Sequence, residues 1–228
     1  MKNLVFDSGA IISLTLNNLI WILEPLKKSF KGNFYITEPV KRELVDRPLE
    51  IKRFEFEALQ ALRYVENKTI EVIQSYEIKK LTDELLDLAN NSFIAKGKPL
   101  RIVHPGEISG IAVCIHLNSN IFAVDERTLR LLIEDPRKLR YILEHRLHTK
   151  VDVNKANLKR FGTMTKKIKL IRSVELVTIA YEKGLLDVYI PNMPYGKKKL
   201  LESVLWGVKL SGCSVSKSEI EQVMRIER

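Results

Sequence analysis

Five short runs of β-branched and aromatic residues alternate with amphipathic helical stretches, and this alternation constrains the fold more than any other feature of the sequence. Strands that are separated by helices pair in parallel, because each crossover helix returns the chain to the same end of the sheet. The sequence therefore predicts an α/β fold with a parallel sheet of about five strands flanked by helices. The predicted strands are Leu4–Phe6, Phe34–Thr37, Ile70–Ile73, Ile121–Val124 and Ile168–Ile171.

Helical periodicity fills the intervals between these strands. The predicted helices are Ile11–Phe30, broken near Pro25; Pro39–Arg47, closed by Pro48; Ile51–Val65; Glu77–Ala95; Gly106–Leu117; and Glu126–Leu147, interrupted at Pro136. The basic stretch His148–Lys167 shows little periodicity, so we interpret it as an insertion before the fifth strand. Residues after 172 favour helices only, and Ser216 with Glu219 has the form of a capping box at the start of the last one. We expect residues 1–172 to form one domain and residues 173–228 to be a helical extension packed on it.

The composition limits the class of protein. With 228 residues, of which 45% are hydrophobic, the chain can bury a substantial core. No apolar run approaches the ~20 residues that span a bilayer, and the N-terminus does not resemble a signal peptide, so we expect a cytoplasmic protein without a membrane partner. Cys114 and Cys213 lie in apolar segments and are expected to be reduced thiols in the core. The net charge of +10 suits a polyanionic partner such as nucleic acid or an anionic membrane face.

Two predicted strands end in an aspartate. Asp7 follows the run Leu4–Phe6, and Asp125 closes the run Ile121–Val124. Ligands of parallel α/β sheets bind beyond the carboxyl ends of the strands, where these carboxylates are expected to lie. The structural alternative for Asp7 is that it, or Ser8, only caps the following helix.

Two glutamates lie on helices near buried positions. Glu43 has Val40 and Leu44 as helical neighbours, which places it on the flank of the buried face. Glu107 heads an apolar stripe in the helix that begins near Gly106, although its place in the first turn is equally explained by the helix dipole. Carboxylates that converge on one spot repel one another and need a compensating cation. All-oxygen ligands suit Mg²⁺ or Mn²⁺, and the chemistry that follows is metal-assisted hydrolysis of a phosphodiester.

The order of these motifs resembles the PIN-domain family of metal-dependent ribonucleases. The similarity rests on Asp-Ser-Gly-Ala after the first strand, Glu43 in Thr-Glu-Pro-Val-Lys-Arg-Glu-Leu, Gly106-Glu107 at the start of an apolar helix, and Asp125 in Ala-Val-Asp-Glu-Arg-Thr-Leu-Arg. It covers roughly residues 1–133. A weaker similarity over residues 173–186 and 207–216 resembles the C-terminal helices of a prokaryotic, toxin-nuclease-like PIN subgroup.

The resemblance implies a three-layer fold with strand order 3-2-1-4-5. It also implies an endoribonuclease in which Asp7, Glu43, Glu107 and Asp125 are the catalytic acids and the ligands of Mg²⁺ or Mn²⁺, supported by Ser8. The implied partners are RNA, a second copy of the chain in a homodimer, and an antitoxin protein. The family commonly has Asp at the position of Glu107, and this departure leaves open a catalytically weak or inactive PIN-like module that binds RNA or serves assembly.

Basic residues after the fourth strand are expected to hold RNA phosphates, although an ordinary solubilising face is the structural alternative. The predicted RNA-binding residues are Arg137, Lys138, Arg140, Lys159, Arg160, Lys166 and Lys167.

Other readings of the motifs are weaker. Haloacid-dehalogenase-like phosphatases need an acid two residues after the nucleophilic aspartate, and Gly9 stands there. Neither a P-loop nor a Gly-rich dinucleotide fingerprint occurs. His145 and His148 have the spacing of a metal pair on a helix, but their basic neighbours favour a solvated face.

Overall fold

The strands of the computed structural model, which describes residues 2–227, form two sheets. They are β1 Lys2–Phe6, β2 Gly32–Thr37, β3 Glu71–Ile73, β4 Phe93–Ala95, β5 Lys98–Pro99, β6 Ile121–Ala123, β7 Val151–Val153 and β8 Lys169–Ile171. The main sheet is parallel throughout and has the order β3-β2-β1-β6-β8. Counted within this sheet alone, the order is 3-2-1-4-5, as the resemblance implied. A small antiparallel sheet of order β5-β4-β7 was not predicted.

The helices account for most of the remaining chain. They are α1 Ser8–Leu16, α2 Leu23–Phe30, α3 Glu38–Lys41, α4 Arg47–Leu49, α5 Glu55–Glu66, α6 Tyr76–Asn90, α7 Pro105–His116, α8 Arg127–Glu134, α9 Pro136–Leu147, α10 Lys155–Thr165, α11 Ser173–Glu182, α12 Gly196–Leu210 and α13 Lys217–Ile226. A π-helical turn, Arg42–Asp46, joins α3 to α4, so the helix continues through Pro48 instead of stopping before it.

Helices cover both faces of the main sheet and produce three layers. Along β1, Leu4 and Phe6 point into one core and Val5 points into the other, which is the alternation that a strand buried on both faces requires. The first core contains side chains from α1, α2, α5 and α11 to α13. The second core contains side chains from α6 to α10.

The C-terminal helices belong to the first core. Four residues that recur at helical spacing form an apolar stripe on α12 and are buried there: Leu200, Leu201, Leu205 and Val208. The capping box of the last helix is confirmed, since Ser216 Oγ accepts from the Glu219 N–H at 3.1 Å and Glu219 Oε2 accepts from the Ser216 N–H at 2.7 Å. The extension therefore packs on the sheet rather than standing apart from it.

Two predicted helices have wrong bounds. The first long helix breaks at residues 17–22 and not at Pro25, because a proline in the first turn of α2 lacks an N–H that the helix would leave unpaired anyway. The predicted helix Glu77–Ala95 ends at Asn90, because the chain beyond it forms β4, which pairs with the distant strand β7.

The stretch 148–167, interpreted as an insertion, precedes the fifth strand of the main sheet. It is ordered as β7 and α10, and α10 packs on α6.

Between residues 2 and 227 no single helix has the length and apolar character to cross a membrane; Ser8–Leu16 and Ile20–Phe30 meet these criteria only as a pair that is bent by 119°.

Candidate functional site

Two aspartates lie at the carboxyl ends of the neighbouring strands β1 and β6. Asp7 follows β1, and its backbone N–H donates to the carbonyl of Ala123 in β6 at 2.8 Å. Asp125 lies two residues beyond β6, and both aspartates are at least 95% buried. Asp7 also accepts from the Gly9 N–H at 3.2 Å and so caps α1, as the structural alternative anticipated. This hydrogen bond uses one oxygen of Asp7, and the carboxylate remains at the carboxyl edge of the sheet.

The carboxylate of Asp125 is held by two serines that the sequence reasoning missed. Ser13 Oγ of α1 donates to Oδ2 at 2.6 Å. Ser173, the first residue of α11, donates from its N–H to Oδ1 and from its Oγ to Oδ2, each at 2.7 Å. Both serines are almost fully buried, and a small polar residue at a buried helix position was the only signal that could have identified them.

Glu43 approaches the aspartates from the π-helical turn Arg42–Asp46. Ser8 Oγ donates to Glu43 Oε2 at 2.7 Å, which fixes the carboxylate toward the end of β1. On its other side lies Gly106, where a Cβ would stand 2.9 Å from Glu43 Oε1. A side chain at position 106 would therefore push the Glu43 carboxylate away from the start of α7.

Glu107 completes the predicted quartet from the first turn of α7. Its Oε2 accepts from the backbone N–H of His104 at 2.9 Å. Glu107 therefore also stabilises the start of α7, which is the structural role that the sequence offered as an alternative. Burial raises the pKa of Glu107 from 4.5 to about 7, against the opposing hydrogen bond from His104. Repulsion from Glu126, Asp7 and Glu43 adds to this rise in pKa.

The four predicted acids share one cavity of about 340 Å³. Its lining residues are Asp7, Ser8, Gly9, Glu43, His104, Glu107, Asp125, Glu126 and Gly212. No lysine or arginine is among them, so the described lining contains carboxylates without a neighbouring cation. Gly212 comes from the C-terminal extension, which therefore forms part of the wall.

Glu126 is a fifth carboxylate of this cavity, and the sequence reasoning missed it. Its Oε2 accepts from the Leu129 N–H at 2.6 Å, so it also caps α8. Its position directly after Asp125 was the available signal, since the chain turns from strand to helix there.

The electrostatics of Asp7 reflect this crowding. Burial raises the pKa of Asp7 from 3.8 to about 6, and repulsion from Glu43 and Asp125 raises it further, while the hydrogen bond from Gly9 opposes the rise. A carboxylate whose pKa is raised in this way lacks a compensating positive charge.

The oxygen-only donor set has the chemistry of a Mg²⁺ or Mn²⁺ site. Within residues 2–227, however, no three His, Cys, Asp or Glu side chains are spaced as direct ligands of a single ion. Mg²⁺ commonly retains several waters and takes only one or two protein carboxylates directly. The cluster therefore fits a hydrated ion that is held partly through water. Asp125 already accepts three hydrogen bonds, so its carboxylate is less free than that of Asp7 to bind an ion directly.

A larger cavity, of about 660 Å³, lies beside this site but contains none of its acids. It is bounded by α3, the end of β3 and the first turns of α6 and α7, and Tyr76 and Lys79 are among its lining residues. The four predicted acids therefore line the smaller of these two cavities.

Some of the predicted RNA-binding cations are paired with carboxylates. Arg140 forms an ion pair with Glu144 at 3.1 Å on α9, and Arg160 of α10 is paired with Glu84 of α6. Lys159 is exposed on α10. These residues lie on helices of the second layer and do not line the acidic cavity.

Two of the predicted lysines lie at the opposite edge of the sheet. Lys166 and Lys167 precede β8. The first residue of β8, Lys169, donates its backbone N–H to the carbonyl of Asn120, which lies just before β6. Asp125 follows the other end of β6, so these lysines and the acids are separated by the length of the strands.

Arg137 and Lys138 are exposed in the first turn of α9. Lys138 lines a separate basic cavity, whose lining residues Cys213 and Ser214 directly follow Gly212 of the acidic cavity.

Comparison with known proteins leaves the family unassigned. No protein-family model, no curated protein and no solved structure matches this chain. Membership of the PIN-domain family therefore stays a prediction from the motifs.

Proposed function

We propose that the chain is a Mg²⁺- or Mn²⁺-dependent endoribonuclease that hydrolyses phosphodiester bonds of RNA. The observation that carries this proposal is the convergence of Asp7, Glu43, Glu107 and Asp125 on one cavity whose described lining contains no lysine or arginine. These residues come from four separate parts of the chain, at or beyond the carboxyl ends of parallel strands, where α/β proteins bind ligands. The PIN-like order of the motifs and the strand order of the main sheet support the same function.

A bound divalent ion would activate water and shield the charge of the scissile phosphate. The residues of the chain supply its binding site: Asp7 and Glu43 offer oxygen ligands at the cavity surface, and Ser8 holds Glu43 in place. The +10 net charge of the chain attracts the RNA, and the acids alone would repel it. The division between an acidic centre and a basic surface suits a polyanionic substrate that is cleaved with a metal.

The test is cleavage of RNA by the wild type with Mg²⁺ or Mn²⁺ and with EDTA. We expect Asp7→Asn and Asp125→Asn to abolish cleavage, because each removes a charge from the cluster while keeping nearly the same side-chain shape. Asp152→Asn is the matched control, since Asp152 is an exposed residue of β7 that is paired with Lys150. Wild-type rates in both cluster variants, with folding verified by circular dichroism, would exclude this site.

One observation favours a second candidate, a PIN-like RNA-binding or assembly module without catalysis. Glu107 and Glu126 cap helices and Asp125 accepts three hydrogen bonds, so these three carboxylates have structural partners within the protein. Binding of RNA by a wild type that does not cleave it with either metal would favour this candidate. Cleavage that depends on Asp7 would exclude it.

A further inference from the structure

A second cavity, of about 530 Å³, lies beside the acidic one and is lined by basic side chains. Arg127 and Arg130 come from α8, Lys138 from α9, and Lys209 from α12. Its described lining contains one acid, Glu219, which is already paired with Arg172 at 2.7 Å. The cavity is therefore positively charged, in contrast to its neighbour.

Two of its cations have no partner among the residues that the structure describes. Between residues 2 and 227, the side chains of Arg127 and Lys138 form no ion pair and no hydrogen bond, and both residues are exposed. Arg127 is also the first residue of α8, where the helix dipole disfavours a positive charge. The helix dipole therefore gives no structural reason for a cation at that position.

The other two cations are held in place by the wall of the cavity. Arg130 donates to the carbonyl and to the Oγ of Ser214, each at 3.2 Å. Lys209 donates to the carbonyl of Val215 and lies 5.9 Å from the ring centroid of Trp206. Lys209 is bonded only to an uncharged carbonyl, so its charge stays available. Arg130 also forms an ion pair with Glu134 at 3.5 Å, so its charge is partly compensated.

The two cavities share one segment of chain. Gly212 lines the acidic cavity, whereas the next residues, Cys213 and Ser214, line the basic one. The Ser214 N–H donates to the backbone carbonyl of Asp125 at 3.1 Å, and Arg127 is two residues beyond Asp125. A ligand in the basic cavity therefore lies against the edge of the acidic site.

We propose that the basic cavity binds a backbone phosphate of single-stranded RNA and thereby places a neighbouring phosphodiester at the acidic cavity. The second half of this statement rests on the proposed nuclease function. A concave site with cations on three helices suits one flexible strand, and positively charged grooves that follow the backbone are typical of single-strand binding. Because Lys209 and the wall from Cys213 to Ser216 belong to the C-terminal extension, the extension becomes part of the substrate site.

The experiment measures the affinity of the full chain for a fluorescent single-stranded RNA 12-mer by anisotropy, with EDTA present so that metal-dependent cleavage cannot occur. The variant Arg127→Gln with Lys138→Gln removes the two unpaired cations without breaking an intramolecular contact. Adding Lys209→Gln gives a triple variant. We expect affinity to fall at least tenfold in the triple variant, and the slope of log affinity against log salt to fall by about 0.7 for each cation removed.

The matched control removes the same charge from the amino edge of the sheet. Lys2, Lys28 and Lys31 are exposed and lie near the paired starts of β1 and β2, so replacing all three with Gln should change affinity less than twofold. Equal losses in the two triple variants, an unchanged salt slope in the double variant, or no RNA binding by the wild type would each overturn the proposal.

Cleavage with Mn²⁺ separates this inference from the proposed function. If the wild type binds RNA through this cavity but does not cleave it, phosphate binding is supported and the nuclease proposal fails. If the wild type cleaves RNA and the double variant keeps wild-type affinity and salt slope, the basic cavity is overturned while the nuclease proposal stands.

Discussion

The carboxylate of Asp125 accepts hydrogen bonds from Ser13 and Ser173, whereas Asp7 accepts from the backbone of Gly9 at a longer distance. At the scale of single residues, this difference assigns different tasks to two similar side chains. Asp125 is oriented by two helices and shapes the site. Asp7 retains oxygen lone pairs that face the cavity and is the better candidate for direct contact with a cation.

Ser173 is expected to position Asp125. Ser173→Ala keeps the backbone donor and removes the hydroxyl, which should cost about 1–2 kcal/mol of stability and reduce RNA cleavage roughly tenfold or more. Ser119→Ala is the control. The hydroxyl of Ser119 is buried as well, but it donates to the carbonyl of Asn3 at 2.7 Å, at the opposite end of β1 from the site. The control should lose comparable stability in urea denaturation and keep full activity; equal activity in both variants would contradict the positioning role.

The raised pKa of Asp7 predicts how the metal-free protein responds to pH. In the folded state the pKa is about 6, against 3.8 for the free side chain, so the folded state binds this proton more tightly. Stability in EDTA should therefore fall as the pH rises from about 4 to about 7, by roughly 1–3 kcal/mol from this residue. Urea denaturation of the wild type and Asp7→Asn across this range isolates the effect, because other groups titrate in both proteins. A difference between them that does not vary with pH would contradict the assignment.

The site also depends on how two helical elements meet. The start of α7 comes so close to the π-helical turn Arg42–Asp46 that Gly106 has no room for a side chain beside Glu43. Such turns insert an extra residue into a helix and are frequent at functional sites. Here the turn presents Glu43 to Ser8 across the end of β1.

Gly106→Ala should displace Glu43 and reduce cleavage at least tenfold. Its effect on the free energy of unfolding should stay within about 1 kcal/mol, because alanine favours the helix while the displaced carboxylate loses its bond to Ser8. Gly162→Ala in α10 is the control: a Cβ there meets nothing within 4 Å, so it should raise stability by about 0.5–1 kcal/mol and leave cleavage unchanged. A fully active Gly106→Ala would show that the position of Glu43 is not critical.

At the scale of the whole molecule, the acidic cavity should couple folding to metal binding. An ion that binds only the folded state stabilises it by mass action, so Mn²⁺ should raise the melting temperature of the wild type. Asp7→Asn should respond less, and Asp152→Asn should respond as the wild type does. Equal responses in all three proteins would place the bound metal elsewhere.

The resemblance also implies a homodimer, and the structure limits where its contact can lie. The α12 stripe is in the core, and Trp21 and Trp206 are partly buried against it, so they leave little surface for a partner. Light scattering over a range of concentrations should report twice the chain mass of 26.3 kDa. A mass that stays at that of one chain would exclude the dimer.

Much of the architecture could be predicted because its signals are local. Each strand of the main sheet is a short apolar run between helical stretches, and Asp7 and Asp125 follow such runs directly, so the parallel sheet and the acids on its edge follow from periodicity and chain order. The capping box at Ser216 is likewise contained in four consecutive residues.

The remaining features depend on contacts between residues that are far apart in the chain. The pairing of β4 with β7 ordered a stretch without helical periodicity, and the hydroxyl of Ser173 reaches Asp125 across 48 residues. Similarly, Arg127 and Lys209 line one cavity although they are far apart in the chain. Lys166 and Lys167 are equally basic, but they lie at the opposite edge of the sheet. The sequence by itself determined the layers, the order of the motifs and which residue types could carry chemistry. Only the tertiary structure decided which charges share a cavity, because packing of both helix layers against the sheet sets those distances and local propensity does not.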